Sequence, residues 1–244
     1  MLRGVVVWAG AVALAVAAGG AAGAPAAKRA CAAGSLHRLG APTVAYGGVV
    51  RRLTSAYREP GRDRIARFGR LNLNDVPTVF GVVGWIAGRD CRAAWYRVQL
   101  PIRPNGITGF VRGHDLRIFH VRTKIVIDVS SRRLELFRAG RRLISTTVAV
   151  GSAATPTPTG RYYVNQRFRT NDPGGAYGPA AIGISAFSPV LVHRAQGGPI
   201  GIHGTNAPWS IGRAVSNGCI RLHNAVMRRL FRLAREGTPV LIRS

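Results

Sequence analysis

The chain has 244 residues and a formal net charge of +26, from 35 basic and 9 acidic side chains, and only Lys28 and Lys124 are lysines. Such a field favours polyanions. The arginines are nevertheless scattered (Arg51, Arg52, Arg62, Arg64, then Arg228, Arg229) rather than interleaved with aromatics, and no nucleic-acid reading motif is present, which argues against nucleic acid as the partner. A genome that prefers arginine to lysine gives the same composition, so the charge by itself names no ligand.

The first residues read as an export signal over 1–27. Arg3 is followed by Val5, Val6, Val7, Trp8 and Ala9, then by an uncharged run from Ala11 to Ala18, and small residues occupy Gly19–Ala27. That is the basic start, apolar middle and small-residue cleavage region of a secretory signal. A retained membrane anchor is the alternative reading; the early Gly and Pro interruptions favour cleavage. The expected location is therefore extracytoplasmic, secreted or cell-wall associated. Lys28, Arg29 and Ala30 precede Cys31 and do not resemble the residues before a lipidated cysteine. Residues 28–42 are then a mature N-terminal segment, and no later stretch is apolar enough to span a bilayer. What remains is long enough for two modest domains.

Cys31, Cys91 and Cys219 are the three cysteines. In an oxidising compartment two tend to pair and one is left over. Cys31 and Cys91 both lie in the N-terminal half, so a Cys31–Cys91 disulfide is the expectation, with two unpaired thiols as the alternative. Cys219 is the odd thiol.

Residues 43–121 read as short strands. Val79, Phe80, Val82, Val83 and Trp85, then Trp95, Tyr96, Val98 and Leu100, are strand-type residues broken by Gly81, Gly84 and Gly88. Asn105-Gly106, within Leu100–Gly106, predicts a tight hairpin turn. The strand spacing suits a small barrel. With Trp95-Tyr96-Arg97-Val98 before Leu100-Pro101 and Gly109-Phe110-Val111 after, this part resembles a bacterial SH3-like module, as either a wall binder or a structural brace.

A second domain is expected over 122–244. Ile125, Val126, Ile127 and Val129 open it, Leu134, Leu136 and Phe137 follow a turn, and Thr146–Val150 and Arg161–Asn165 are further strands. Between the last two, Gly151–Gly160 carries Pro156 and Pro158, which exclude regular ladder pairing. Asn171–Ser188, rich in Gly, Pro and Ser, reads as a long functional loop. One helix follows, with Asn224 as its cap, Val226, Met227, Leu230, Leu233 and Ala234 as its apolar stripe, and Gly237 and Pro239 as its stop.

The chemistry concentrates in Ile202-His203-Gly204-Thr205 and Ser216-Asn217-Gly218-Cys219-Ile220-Arg221-Leu222. A thiolate nucleophile needs a nearby base or cation. His203, at the end of an apolar run, can be held rigidly beside it. Gly204 and Gly218 allow close backbone approach, and N–H groups near Gly218 and Cys219 could face an oxyanion. His193 and His223 read as surface or structural.

His-Gly-Thr followed by Ser-x-Gly-Cys-Ile-Arg-Leu resembles the signature of YkuD-type L,D-transpeptidase domains. Gly151, Thr157-Pro158-Thr159-Gly160 and Tyr162 resemble the same family. The resemblance spans roughly Lys124 to Ile242. It implies a mainly β chain in which an SH3-like β-barrel precedes an L,D-transpeptidase β-sandwich with one helix near the C-terminus. It also implies that Cys219 attacks a peptidoglycan stem peptide, releasing a terminal D-amino acid, with His203 as base oriented by the Gly204 carbonyl. An acceptor amine would resolve the thioester, or water would in an L,D-carboxypeptidase. Backbone N–H groups of Asn217, Gly218 and Cys219 would form the oxyanion hole, and Ser216 and Arg221 would brace the site. Many members have a second histidine where this chain has Asn217. The implied partners are stem peptides, carbapenem-type inhibitors and acidic wall polymers, with no cofactor and no metal. A non-catalytic wall-binding protein is the competing class, against which the intact His203 and Cys219 argue.

Overall fold

The computed structural model describes Met1 and residues 32–244; the expected export signal and Cys31 fall outside the described residues, and with Cys31 the expected bridge to Cys91. From Ala32 onward the chain forms two large β-sheets, each with its own core, and one small two-stranded sheet, within one compact unit. The first sheet is built from β1 (Leu36–Arg38), β2 (Ala45–Val50), β3 (Thr54–Glu59), β4 (Arg62–Phe68), β5 (Val79–Ala87), β6 (Ala93–Gln99), β7 (Thr108–Arg112) and β8 (Leu116–Val121).

These strands hydrogen-bond in the order β4-β3-β7-β6-β5-β2-β8, with β1 added on β5. The Val-, Phe- and Trp-rich β5 is the spine, as its composition favours. One edge of it pairs with β2 in its first half and β1 in its second, and the other edge pairs with β6. Phe80, Val82, Val98, Leu100 and Val111 are buried beneath it.

The second sheet uses β9 (Thr123–Asp128), β10 (Arg133–Arg138), β11 (Arg141–Thr147), β13 (Gly160–Arg169), β14 (Ala180–Phe187), β15 (Pro199–His203), β17 (Ile220–Arg221) and β18 (Pro239–Arg243). Its order is β11-β10-β9-β18-β13-β14-β15-β17, while β12 (Val150–Gly151) and β16 (Ala214–Ser216) form a separate parallel pair. The helix α1 (Asn224–Leu233) packs Met227 and Leu230 into this core at 0% exposure and leaves Arg228, Arg229 and Arg232 outside, as the stripe predicts. The chain is mainly β.

Three local expectations need correction. Asn105-Gly106 is not a two-residue turn. The β6–β7 hairpin closes with Leu100 N–H donating to Ile107 O at 2.9 Å, and the loop between them reaches the other sheet. There Asn105 Nδ2 donates to Phe187 O and accepts from Phe187 N–H on Oδ1, both at 2.9 Å.

The second half of the expected loop Asn171–Ser188 is strand β14. Its Ala, Gly and Ser residues carry little strand signal, but small side chains fit a strand buried on both faces. Finally, His223 occupies the helix N-cap position, with no side-chain cap bond. Asn224 instead turns its Oδ1 to the Thr205 N–H at 2.8 Å, steadying the segment just after His203.

Candidate active site

Strands β15 and β17 run parallel, with Ile202 opposite Ile220 and His203 opposite Arg221. Both isoleucines are fully buried, so the pair is anchored by apolar packing rather than by exposed loop contacts. One residue ahead of Ile220, Cys219 comes to Gly201, whose backbone hydrogen-bonds the thiol. The register thus carries His203 and Cys219 to one edge of the sheet. A cavity of about 260 Å³ opens there, lined by both residues together with Tyr177, Ile200, Gln166 and Asn74.

His203 is 5% exposed, and its Nδ1 lies 2.6 Å from Gly204 O. A carbonyl can only accept, so Nδ1 carries the proton and Nε2 is left as the basic nitrogen. Burial pushes the imidazole down to about 4; the Gly204 hydrogen bond works the other way, and the nearby Arg221 charge adds to the lowering. Burial likewise pushes the Cys219 thiol up, opposed by the Gly201 backbone and by the charges of Arg221 and Arg194. Both shifts favour the neutral forms at neutral pH, a thiol and an unprotonated imidazole lining one cavity. Tyr177, delivered by the loop between β13 and β14, sits with its ring 4.8 Å from that of His203.

The turn that carries Cys219 is tied down by several side chains. Ser216 Oγ donates to Cys219 O at 2.6 Å and accepts the Gly218 N–H at 3.1 Å. The Gly218 N–H is therefore engaged within the turn in this state. Gly218 has φ 103°, and a Cβ there would sit 2.9 Å from Ile200 Cδ1, so no other residue fits without strain.

Thr157 Oγ1 donates to Gly218 O and accepts the Gly151 N–H, both at 2.8 Å. Thr155 Oγ1 donates to Ser216 O at 2.9 Å. The proline-bearing segment thus buttresses the turn. Asn217 is exposed on its outer side, as are His193 and His223 elsewhere. Sequence reading missed Tyr177 and Arg194, which stand in loops without a motif, and Gln166, which reads as an ordinary strand residue. Among the described residues, no three His, Cys, Asp or Glu side chains group to hold a metal ion.

Residues 122–242 match the family model of the YkuD L,D-transpeptidase catalytic domain. This half of the chain is a YkuD-type catalytic domain. The YkuD-type domain is 37% identical over 118 residues to the YkuD protein of Bacillus subtilis strain 168, itself assigned as an L,D-transpeptidase; the match covers 48% of this chain and 64% of that one. The ErfK/SrfK protein of Salmonella typhimurium, assigned to the same activity, is 33% identical over 50% of this chain and 44% of its own. Among solved structures, a cysteine-to-serine mutant of the Enterococcus faecium L,D-transpeptidase is 26% identical, covering 50% of this chain and 49% of its own, at a TM-score of 0.39. The chain thus spans less than two thirds of the length of the curated relatives it matches.

Proposed function

We propose that this chain works outside the cytoplasmic membrane as a peptidoglycan L,D-transpeptidase, with Cys219 as nucleophile and His203 as general base. The observation that carries this reading is the shared cavity: the only free thiol among the described residues and a buried neutral histidine line one 260 Å³ site. As the Sγ–C bond forms at the donor carbonyl, His203 Nε2 takes the thiol proton. That proton passes to the leaving nitrogen as the C–N bond breaks, and a terminal D-amino acid departs. An acceptor amine then attacks the thioester and gives a proton to His203 Nε2; Sγ leaves and takes that proton back, and a new amide joins the two peptides. Burial keeps the imidazole neutral, with the Arg221 charge adding to that effect, and the same charge favours the thiolate as it develops. The N-terminal sheet, in this reading, is an SH3-like module, and a Cys31–Cys91 disulfide spares Cys219 from pairing.

Intact mass after exposure to a carbapenem tests the assignment. The native protein is expected to gain one inhibitor mass and Cys219→Ala none, while thiol titration of the denatured, unreduced protein finds one free thiol. Mass addition to the alanine variant would remove Cys219 as nucleophile. Three titratable thiols would remove the bridge. With a defined tetrapeptide and an added amine, a cross-linked product is expected; release of the D-residue with no amide formed would make the enzyme an L,D-carboxypeptidase.

A further inference from the structure

Behind the catalytic cavity lies a second one, of about 400 Å³, between the two sheets. Phe68, Leu73, Ile102 and Phe187 give it apolar walls, and Arg67 is its one charged lining residue. The two cavities share Asn74, Gln166, Gln196 and Pro199, so they are halves of one groove divided by amides.

Those amides form a clasp across the sheets. Gln196 Nε2 donates to Asn74 Oδ1 at 2.9 Å, and Asn74 Nδ2 donates to Gln166 Oε1 at 2.9 Å and to Gln196 Oε1 at 3.4 Å. Asn72 Nδ2 donates to the same Gln166 oxygen at 2.9 Å.

Two features mark this clasp as more than a surface contact. Gln196 is held at φ 55°, a left-handed conformation disfavoured for a residue with a Cβ, and such strain concentrates at functional sites. Gly183 stands where a Cβ would meet Gln166 Cγ at 2.6 Å, so the strand next to the site has given up a side chain to let Gln166 through. Beside it, Asn165 lines the second cavity, and its buried Oδ1 has no hydrogen-bond partner.

We propose that the 400 Å³ cavity is the outer half of the donor-peptide groove, and that Asn74, contributed by the N-terminal sheet, is a specificity-determining residue that binds the peptide main chain ahead of the scissile bond. This rests on the acyl-transfer reading above. Primary amides both donate and accept, as the alternating N–H and C=O of an extended peptide require. The catalytic cavity alone is smaller than the roughly 300–1,000 Å³ usual for a small-ligand site, whereas the joined groove falls within that range. A small β-lactam needs only the inner half; a stem peptide needs both.

Asn74→Ala separates the two. Its KM for a defined tetrapeptide donor is expected to rise roughly tenfold, as loss of about one well-placed hydrogen bond to substrate would give, with kcat held. Its rate of acylation by a carbapenem should fall by much less than its kcat/KM for the tetrapeptide, and its melting temperature by no more than loss of the clasp bonds gives. Gln196→Ala, on the other side of the clasp, should show the same split. An unchanged tetrapeptide KM in both variants overturns the proposal, and so does a parallel fall in carbapenem acylation, which would mark the clasp as purely structural. Native protein that takes up no carbapenem would overturn the acyl-transfer reading instead.

Discussion

Burial acts on the Cys219 thiol and the His203 imidazole in opposite directions. Cys219 is raised and His203 is lowered to about 4, so each is neutral where the enzyme would work. Nε2 is then unprotonated over the whole neutral range, though a weaker base than an ordinary imidazole. An ordinary histidine, near 6.5, would be about a quarter protonated at pH 7. Carbapenem acylation followed by intact mass is therefore expected to hold level from pH 7 down to about 5 and to fall only as pH approaches 4. A half-maximal point near 6.5 would sink this account.

The same shift has a stability consequence with a definite sign. Between about 6.5 and 4 the unfolded chain binds a proton at His203 that the folded chain refuses, so stability is full above 6.5 and declines as pH falls through that window. The whole effect is about 3 kcal/mol. Urea unfolding at pH 7 and pH 5 should show a decline in the native protein that is smaller in His203→Gln. Equal declines in the two would assign the acid sensitivity elsewhere.

At the scale of elements, the nucleophile turn is held less by its own strand than by the irregular segment that crosses beneath it. Thr157 satisfies both the Gly218 carbonyl and the Gly151 N–H from one buried hydroxyl. Thr157→Val keeps the shape and orphans both groups, at about 1–3 kcal/mol for each left buried. We expect a lower melting temperature together with slower acylation, because the turn presenting Cys219 loosens. Native-like values of both would show that Ser216 and Thr155 fix the turn without Thr157.

This part of the molecule was legible before any coordinates. A Ser-x-Gly-Cys stretch and a Thr-Pro-Thr-Gly stretch are short, and their meaning lies in adjacent residues. The helix stripe was legible for the same reason, since one face of Met227, Leu230 and Ala234 is a local pattern. Strand β14 was not, because Ala180, Ala181, Gly183 and Ser185 earn their places by fitting between crowded neighbours, which only the assembled sheet reveals. Asn224 was misread as a cap because a cap and a long-range hydrogen bond demand the same side chain.

Over the whole molecule, the unread feature was the joint between the sheets. Its contributors are ordinary in sequence: an asparagine in a loop, an arginine among many, a tyrosine in a strand. Arg103 reaches from the β6–β7 loop to Gly197 O with Nε at 3.1 Å, and Asn105 pairs with the Phe187 backbone; away from the joint, within the second sheet and its helix, Arg167 stacks on Phe231 with its guanidinium 4.2 Å from the ring centre. Part of the arginine excess thus serves the fold rather than any polyanion.

The centre of the joint is Tyr163, 1% exposed, whose ring lies where a Cβ on Gly81 would stand and whose hydroxyl donates to Val79 O at 3.1 Å. A side chain of the catalytic sheet is in this way part of the packing of the first sheet. Tyr163→Ala leaves a cavity between the two, with an expected loss of about 3–5 kcal/mol, as for other large aromatic truncations. Because the sheets share that contact, they should unfold together. Calorimetry of the native protein is expected to give one transition and the variant one transition at lower temperature. Two separated transitions in the native protein would mean that the sheets are energetically independent, and an unchanged melting temperature in the variant would mean that the ring contributes nothing to holding them together.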